Sequence, residues 1–247
     1  MPPDSGKIDR IQVNRFLRRK GLTAVVDKSR AEHLLSFKLL PEVIFDIGVD
    51  QGTPFLYQAF PEARFALVDP RHESAAALTA TDAPGDAEFF ETALGATPGT
   101  MTLTIPHSER GEEGAMASLR TRIDRLASKF IKLETRQVPV TTLDRLAAKM
   151  QGRIGLKIDT EGFEDEVLKG AVETLKRTDF VILELSLVQR FDGITPPSQI
   201  ISRLAAAGLE FRDVLRMTGD GKGGSAPRLM DVLFTRWPTP APTISTI

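Results

Sequence analysis

Short apolar runs and amphipathic stretches alternate along the chain from residue 43 onward. "VIFDIG" (43–48) is a β-branched run that stops at a glycine, and Thr53-Pro54 then supply an N-cap and an N1 proline for a helix through about Phe60. "RFALVD" (64–69) reads as the second strand, the Ala-rich "ESAAALTA" as a helix, and "AEFFETAL" (87–94) as a third strand. Further along, "IGLKID" (154–159) and "FVILEL" (180–185) are two more buried strands, separated by a helix over about 163–176. Val167, Leu168, Ala171 and Leu175 form one face of that helix. Continuous apolar strands joined by helices predict an α/β fold, a doubly wound and mostly parallel sheet covered on both faces.

The middle and the end are less regular. "MTLTIP" and "RQVPVTTL" read as strands, "HSERGEEGAMAS" as a loop, "LRTRIDRLASKF" as a helix of uncertain docking and "DRLAAKM" as a short helix. Pro196 and Pro197 open a last helix to about Ala207, and "LEFRDVLR" and "MDVLFTR" form a closing antiparallel pair across the flexible "GDGKGGSAP" (219–227). The expected organisation is an N-terminal helical extension over 1–40, one domain over 41–237 and a Pro-rich tail over 238–247. Ile8, Ile11, Phe16 and Leu17 of the extension call for packing against the domain, and no internal repeat is visible.

Composition narrows the function classes. The chain has 247 residues, 41% of them hydrophobic, and a formal net charge of -1, which fits one enzyme-sized core and gives no global field for nucleic acid or an anionic membrane. The absence of cysteine excludes disulfides, thiolate metal sites and a cysteine nucleophile. His33, His72 and His107 are far apart and form no histidine-based metal pattern, so no metal is assigned. Neither a signal-peptide core nor a membrane span is visible, and a soluble cytoplasmic protein is the expectation. Residues 1–40 carry nine Lys or Arg against four Asp or Glu, a local excess read as a solvated face. Whether the protein is a homo-oligomer is left open.

In open doubly wound sheets ligands bind beyond the carboxyl ends of the strands, at the point where strand order reverses. The first strand ends in Asp46 and turns through Gly48 and Gly52; the second ends in Asp69, where a carboxylate can accept hydrogen bonds from ribose hydroxyls. A dinucleotide pyrophosphate calls for G-x-G-x-x-G, but this loop reads Gly48-Val-Asp-Gln-Gly52 and places Asp50 where the anion would sit. A carboxylate there repels phosphate and suits a sulfonium or an ammonium; S-adenosyl-L-methionine (SAM) carries both and no phosphate.

The segments "FDIGVDQG", "LVDP", "TALG", "VPVTTLD", "LKIDTEGFEDEVLKGA" and "VILE", in this order and at these separations, resemble the FkbM family of SAM-dependent methyltransferases. The resemblance spans about residues 43–185, with "KIDTEG" and "LKGA" its most specific pieces. It implies a class I methyltransferase fold of Rossmann-like type and SAM as methyl donor. The implied acceptor is a hydroxyl on a small molecule, natural product, lipid or glycan. By position it implies that Asp46, Gly48 and Gly52 hold the methionine end of SAM, Asp69 the ribose, and Ala93 and Leu94 the border of the adenine. Where the family has alanine then asparagine after the first glycine, this chain has Val49 and Asp50, and Asp50 lacks an amide donor.

Period-2 alternation puts Lys157 and Asp159 on one face of their strand, with Asp159 or Glu184 as partner for the lysine. Asp159 and Glu161 then fall at the mouth of the cleft as catalytic candidates, with Lys157 beside them. Glu164, Asp165 and Glu166 occupy the first turn of the next helix, where capping and solvation account for them. A carboxylate in a partly dry cleft can take the proton of a hydroxyl acceptor if its pKa is raised; Asp159 or Glu161 is the first candidate and His107 the second. A lysine lowers the pKa of the acid it pairs with, which gives that acid a positioning role. His107 and Ser118, in the loop 106–118 that is long enough to act as a lid, and Glu184 are the candidate acceptor contacts. Asp159, Glu161 and Glu184 could also hold a divalent ion, which the sequence does not require. Two other functions remain open on the residues alone: a catalytically silent methyltransferase-like binding protein, recommended by Asp50 and the basic N-terminal segment, and an NAD-dependent oxidoreductase.

Overall fold

A computed structural model describes residues 10–21, 27–78, 84–218 and 228–237. Among these, α1 (Arg10–Arg19) and α2 (Ala31–Leu35) precede β1 (Val43–Ile47), α3 (Pro54–Ala59), β2 (Arg64–Asp69), α4 (His72–Leu78) and β3 (Glu88–Glu91). Then come β4 (Ala93–Leu94), β5 (Gly99–Ser108), β6 (Gly111–Glu112), β7 (Lys132–Thr141), α5 (Leu143–Ala147), β8 (Ile154–Ile158), α6 (Glu164–Lys169) and α7 (Val172–Lys176). The chain continues through β9 (Thr178–Ser186), α8 (Pro197–Ala206), β10 (Leu209–Thr218) and β11 (Leu229–Arg236).

The main sheet runs β10-β11-β9-β8-β1-β2-β3. Pairings among β3, β2, β1, β8 and β9 are parallel, and β11 enters antiparallel between β9 and β10. Strand order therefore reverses between β1 and β8, which opens the ligand crevice between their carboxyl ends. Alternation along each strand divides the core into two layers. Val43, Phe45 and Ile47 of β1 pack with Leu156 and Ile158 of β8 under α5, α6, α7 and α8, whereas Ile44 faces Leu56 and Tyr57 of α3 and Phe180 and Ile182 of β9. Asp46, Lys157 and Glu184 alternate onto this second face, so the sheet carries its buried charges on one side near the strand ends.

Five expectations are corrected. "AEFFETAL" is two strands: Thr92 turns the chain, donating from its Oγ1 to Pro139 O (3.1 Å), and Ala93 and Leu94 pair with Val140 and Thr141 in a second sheet, β4-β7-β5-β6. "LRTRIDRLASKF" is not a helix apart from a 3-10 turn at Ala127–Lys129; β-bridges of Ser118 to Thr104 and of Arg122 to Phe191 hold it extended. The helix over 163–176 is broken into α6 and α7 at Gly170, where a Cβ would stand 2.1 Å from Gly95 O. The loop 106–118 is largely ordered, a β5-β6 hairpin and a 3-10 turn at Gly114–Met116. In α1, Phe16 is 60% exposed, against the expected packing. The 219–227 connection and the tail over 238–247 lie outside the described residues, as does Ile8. No helix among the described residues is long and apolar enough to cross a membrane.

Candidate active site

Gly48 turns out of β1 at φ +73°, and a Cβ there would lie 1.8 Å from the carbonyl oxygen of Asp159. Only glycine allows this approach of the two strand ends, which Asp159 N completes by donating to Ile47 O (3.0 Å). Asp50 follows at φ +42°, and its backbone N–H donates to Asp69 Oδ2 (3.0 Å) while Arg71 N donates to Asp69 Oδ1 (2.9 Å). Two amides thus aim the Asp69 carboxylate from the end of β2 and leave lone pairs free for further donors. Burial lifts the Asp69 pKa above the ordinary range, against the pull of Arg71.

Arg71 is the cation that accounts for Asp50. Its guanidinium, buried, bonds the Asp50 carboxylate and reaches Glu112 at 3.4 Å, and Gly114 packs so closely on it that a Cβ would clash. The hairpin end is thereby pinned over the strand ends. A cleft of about 560 Å³, open to solvent, lies beneath it. Gly48, Asp50, Asp69, Ala93, Leu94, Ser118, Asp159 and Glu161 all line it, as do Val68, Leu103 and Phe163. Eight of the positions singled out from sequence therefore converge.

The others stand outside the lining. Asp46 lies beneath the cleft, buried in the sheet, accepting from the Tyr57 hydroxyl (2.7 Å); burial raises its pKa, with Lys157 opposing. Gly52, at φ +93°, shapes the turn into α3. Lys157 is buried and donates to Asp159 Oδ2 (3.0 Å); burial works against its charge, but Asp159, Asp46 and Asp231 outweigh it and hold its pKa above the usual value. His107 faces Glu134 on the neighbouring strand at 3.3 Å. Glu184 is buried on β9 against Arg190 (2.5 Å), and burial followed by repulsion from Asp159 and Glu161 drives its pKa well up.

The turn after β8 is the most constrained part of the site. Glu161 sits at φ +50° and Gly162 at φ +97°, an unfavourable pair held by surrounding bonds. Glu164 accepts from Thr160 N (3.1 Å), Thr160 Oγ1 (3.2 Å) and Gly162 N (3.0 Å), so it is a buried clamp on the turn and not the solvated helix charge expected of it. Asp165 is likewise buried, held by Arg203 (2.8 Å) and Thr195 (3.1 Å). From the other side Ser118 Oγ donates to Glu161 O (2.7 Å) and Arg120 Nε to Gly162 O (2.9 Å). Ser118 is thus a strut of the turn as well as a wall of the cleft.

Glu161 carries the most perturbed carboxyl in the lining. Arg122 Nη2 (2.7 Å) and Arg190 Nη2 (2.5 Å) both donate to its Oε2, and among the described residues none bonds its Oε1. Burial lifts its pKa to about 7, the two arginines pulling down and Asp159 pushing up. One oxygen each of Asp159, Glu161 and Glu184 lies within 4.8 Å of the others. Lys157, Arg122 and Arg190 already balance these three carboxylates, so the group does not fit a resident divalent cation.

A doubly wound, mostly parallel sheet with one antiparallel insertion is the class I methyltransferase fold. The methyltransferase FkbM domain matches residues 46–217, and the chain belongs to that family. No curated protein sequence matches the chain. The fold is similar to that of FkbM methyltransferase from Methylobacillus flagellatus KT, at 13% identity over 91% of this chain and 58% of that one, with a TM-score of 0.49. It is also similar to magnesium protoporphyrin IX methyltransferase from Synechocystis with bound SAM, at 13% identity over 95% of this chain and 87% of that one, TM-score 0.46. The family assignment rests on the domain match and agrees with the strand order; the superpositions add no argument.

Four carboxylates, of Asp50, Asp69, Asp159 and Glu161, line the cleft beside the single cation Arg71, a charge balance that favours a cationic ligand over a phosphate. Were an adenosyl ligand bound there, Asp69 would be placed to accept from its ribose, Ala93, Leu94, Val68 and Leu103 to border its purine, and Asp159 to face a cation. Sequence reasoning missed Arg71, Arg122, Arg190, Phe163 and Phe191. Only Arg71 left a signal, as the residue two places after Asp69.

Proposed function

We propose that the protein transfers a methyl group from SAM to a hydroxyl oxygen, with Glu161 as the proton acceptor. SAM, when bound, supplies an electrophilic methyl group on a sulfonium. The residues of this chain then have to orient the acceptor, exclude water and take one proton. Glu161 lines the cleft, its Oε2 is tied by two arginines and its Oε1 is unbonded among the described residues, so the carboxylate keeps one oxygen for a proton. A pKa of about 7 places that base half charged at neutral pH. Asp159, paired with Lys157, has the positioning role, and Asp69 takes the ribose.

Glu161, which lines the cleft with a raised pKa and with Oε1 unbonded among the described residues, is the observation that carries this reading. Asp50, which recommended a silent binding protein, is neutralised by Arg71, and the cleft is open. The four carboxylates of the lining against the single cation Arg71 weigh against a dinucleotide pyrophosphate. The test is turnover with methyl-¹³C SAM. An O-methyl resonance in the product, lost in Glu161→Gln while S-adenosylhomocysteine (SAH) binding persists, supports the reading; an N- or C-methyl product, or full activity in that variant, refutes it.

A further inference from the structure

A second cavity lies on the other side of Ser118, between the β5-β7 ribbon and the segment 116–130. It encloses about 600 Å³ open to solvent, of which water-sized spheres can occupy about 160 Å³ against about 60 Å³ in the cofactor cleft, and Met116, Phe130, Leu133 and Phe191 supply apolar walls with Ala127 and Arg122 beside them. The two cavities meet at Ser118, which lines both, and Glu161 of the cofactor cleft is ion-paired across this junction with Arg122 of the second cavity. The Glu161 carboxylate and the new cavity are therefore joined through Arg122 and Ser118.

Arg122 is unusual within this lining. Its side chain is 7% exposed, its Nη atoms face Glu161 and Asp124, and its guanidinium carbon lies 4.4 Å from the centroid of the Phe191 ring. Its Nε–H is buried and has no hydrogen-bond partner among the described residues. An unmatched buried donor costs on the order of 1–3 kcal/mol unless an acceptor reaches it.

We propose that this second cavity is the acceptor subsite and that it takes a phenolic ring, with its hydroxyl directed past Ser118 toward Glu161. The inference rests on the methyltransferase reading and deepens it. Size supports it, since a cavity of about 150 Å³ lined by apolar side chains accommodates benzene. The walls support it as well: Phe130, Phe191 and the Met116 sulfur favour an aromatic face, and the hydroxyls of Thr104, Thr121 and Thr135 leave room for polar substituents on the ring. Acidity points the same way. A phenol near pKa ~10 lies within reach of the Glu161 carboxylate, whereas an alkanol close to water's ~15.7 is far more costly to deprotonate. In the step so defined the phenolic O–H bond breaks and its proton goes to Glu161 Oε1. The oxygen lone pair forms the new O–C bond, and the methyl carbon's bond to sulfur breaks with the electron pair left on sulfur.

The test uses the full chain saturated with SAH, titrated with p-cresol, catechol and methyl β-D-glucoside and followed by saturation-transfer NMR and calorimetry. Ala127→Trp, on a half-buried 3-10 turn, fills the cavity without touching the cofactor cleft. The expected result is binding of the phenols and not the glucoside, weakened at least tenfold by Ala127→Trp with SAH affinity unchanged. Binding of the glucoside in preference, absence of phenol binding to the SAH complex, or phenol binding indifferent to Ala127→Trp overturns the subsite while leaving the methyltransferase reading in place. Failure of SAH itself to bind overturns both.

Discussion

Replacing Glu161 by Gln removes the titrating group and keeps the shape of the side chain, so the two proteins should differ in how their stability depends on pH. The Glu161 pKa rises from 4.5 to about 7 on folding, because burial disfavours the charged form more than Arg190 and Arg122 favour it. A carboxyl with a raised folded pKa is bound to more protons in the native than in the unfolded state; its contribution is fully present below 4.5 and is lost as pH rises through about 7. At about 1.36 kcal/mol per unit, the wild type should lose up to about 3 kcal/mol relative to Glu161→Gln across that window. This is an upper bound, because Glu161 also helps to raise the pKa of Glu184, which relaxes when the charge is removed. Urea denaturation of both proteins at half-unit steps from pH 5 to 8 measures the difference directly. Over the same range the wild-type kcat/KM should rise with pH and level off above about 7. A stability difference that stays flat, or a wild type that gains on the variant as pH rises, would mean that the arginines dominate and that Glu161 is too acidic to serve as base.

Gly48→Ala should destabilise by about 2–5 kcal/mol, since it adds left-handed backbone strain to a contact with Asp159 O that cannot relax without separating β1 from β8; the urea midpoint reads it. Asp69→Ala should weaken SAH binding by roughly tenfold or more, the loss of charge-assisted bonds being worth about 1.5–3 kcal/mol, as calorimetry would show. Asp50→Asn should leave SAH affinity within a few-fold, because the Asp50 backbone N–H and not its side chain aims Asp69; a large gain or loss would assign the side chain a direct role.

The parallel core was legible because its strands are short, apolar and separated by amphipathic stretches, so β1, β2, β8 and β9 could be placed from local pattern alone. The convergence of Gly48, Asp69 and Glu161 followed from topology, since parallel strands bring their carboxyl ends to one edge. What local pattern could not give is contact between distant segments. Residues 119–130 show helical spacing, yet Arg122 is drawn to Glu161, Asp124 to Arg228, and the backbone at Arg122 to Phe191, and these long-range bonds outweigh propensity. Ala93 and Leu94 looked like the end of a third strand because nothing local marks a change of sheet at Thr92. Glu164 looked like a solvated helix charge because the turn it clamps exists only in the folded chain.

Everything in the proposed chemistry depends on the cleft at the ends of β1, β2 and β8 receiving an adenosyl ligand. Isothermal titration of the full chain with SAH is the direct measurement. One ligand bound per chain, with affinity reduced in Asp69→Ala and retained in Glu161→Gln, is the predicted result; no heat of binding to the wild type, or binding indifferent to Asp69→Ala, would contradict it.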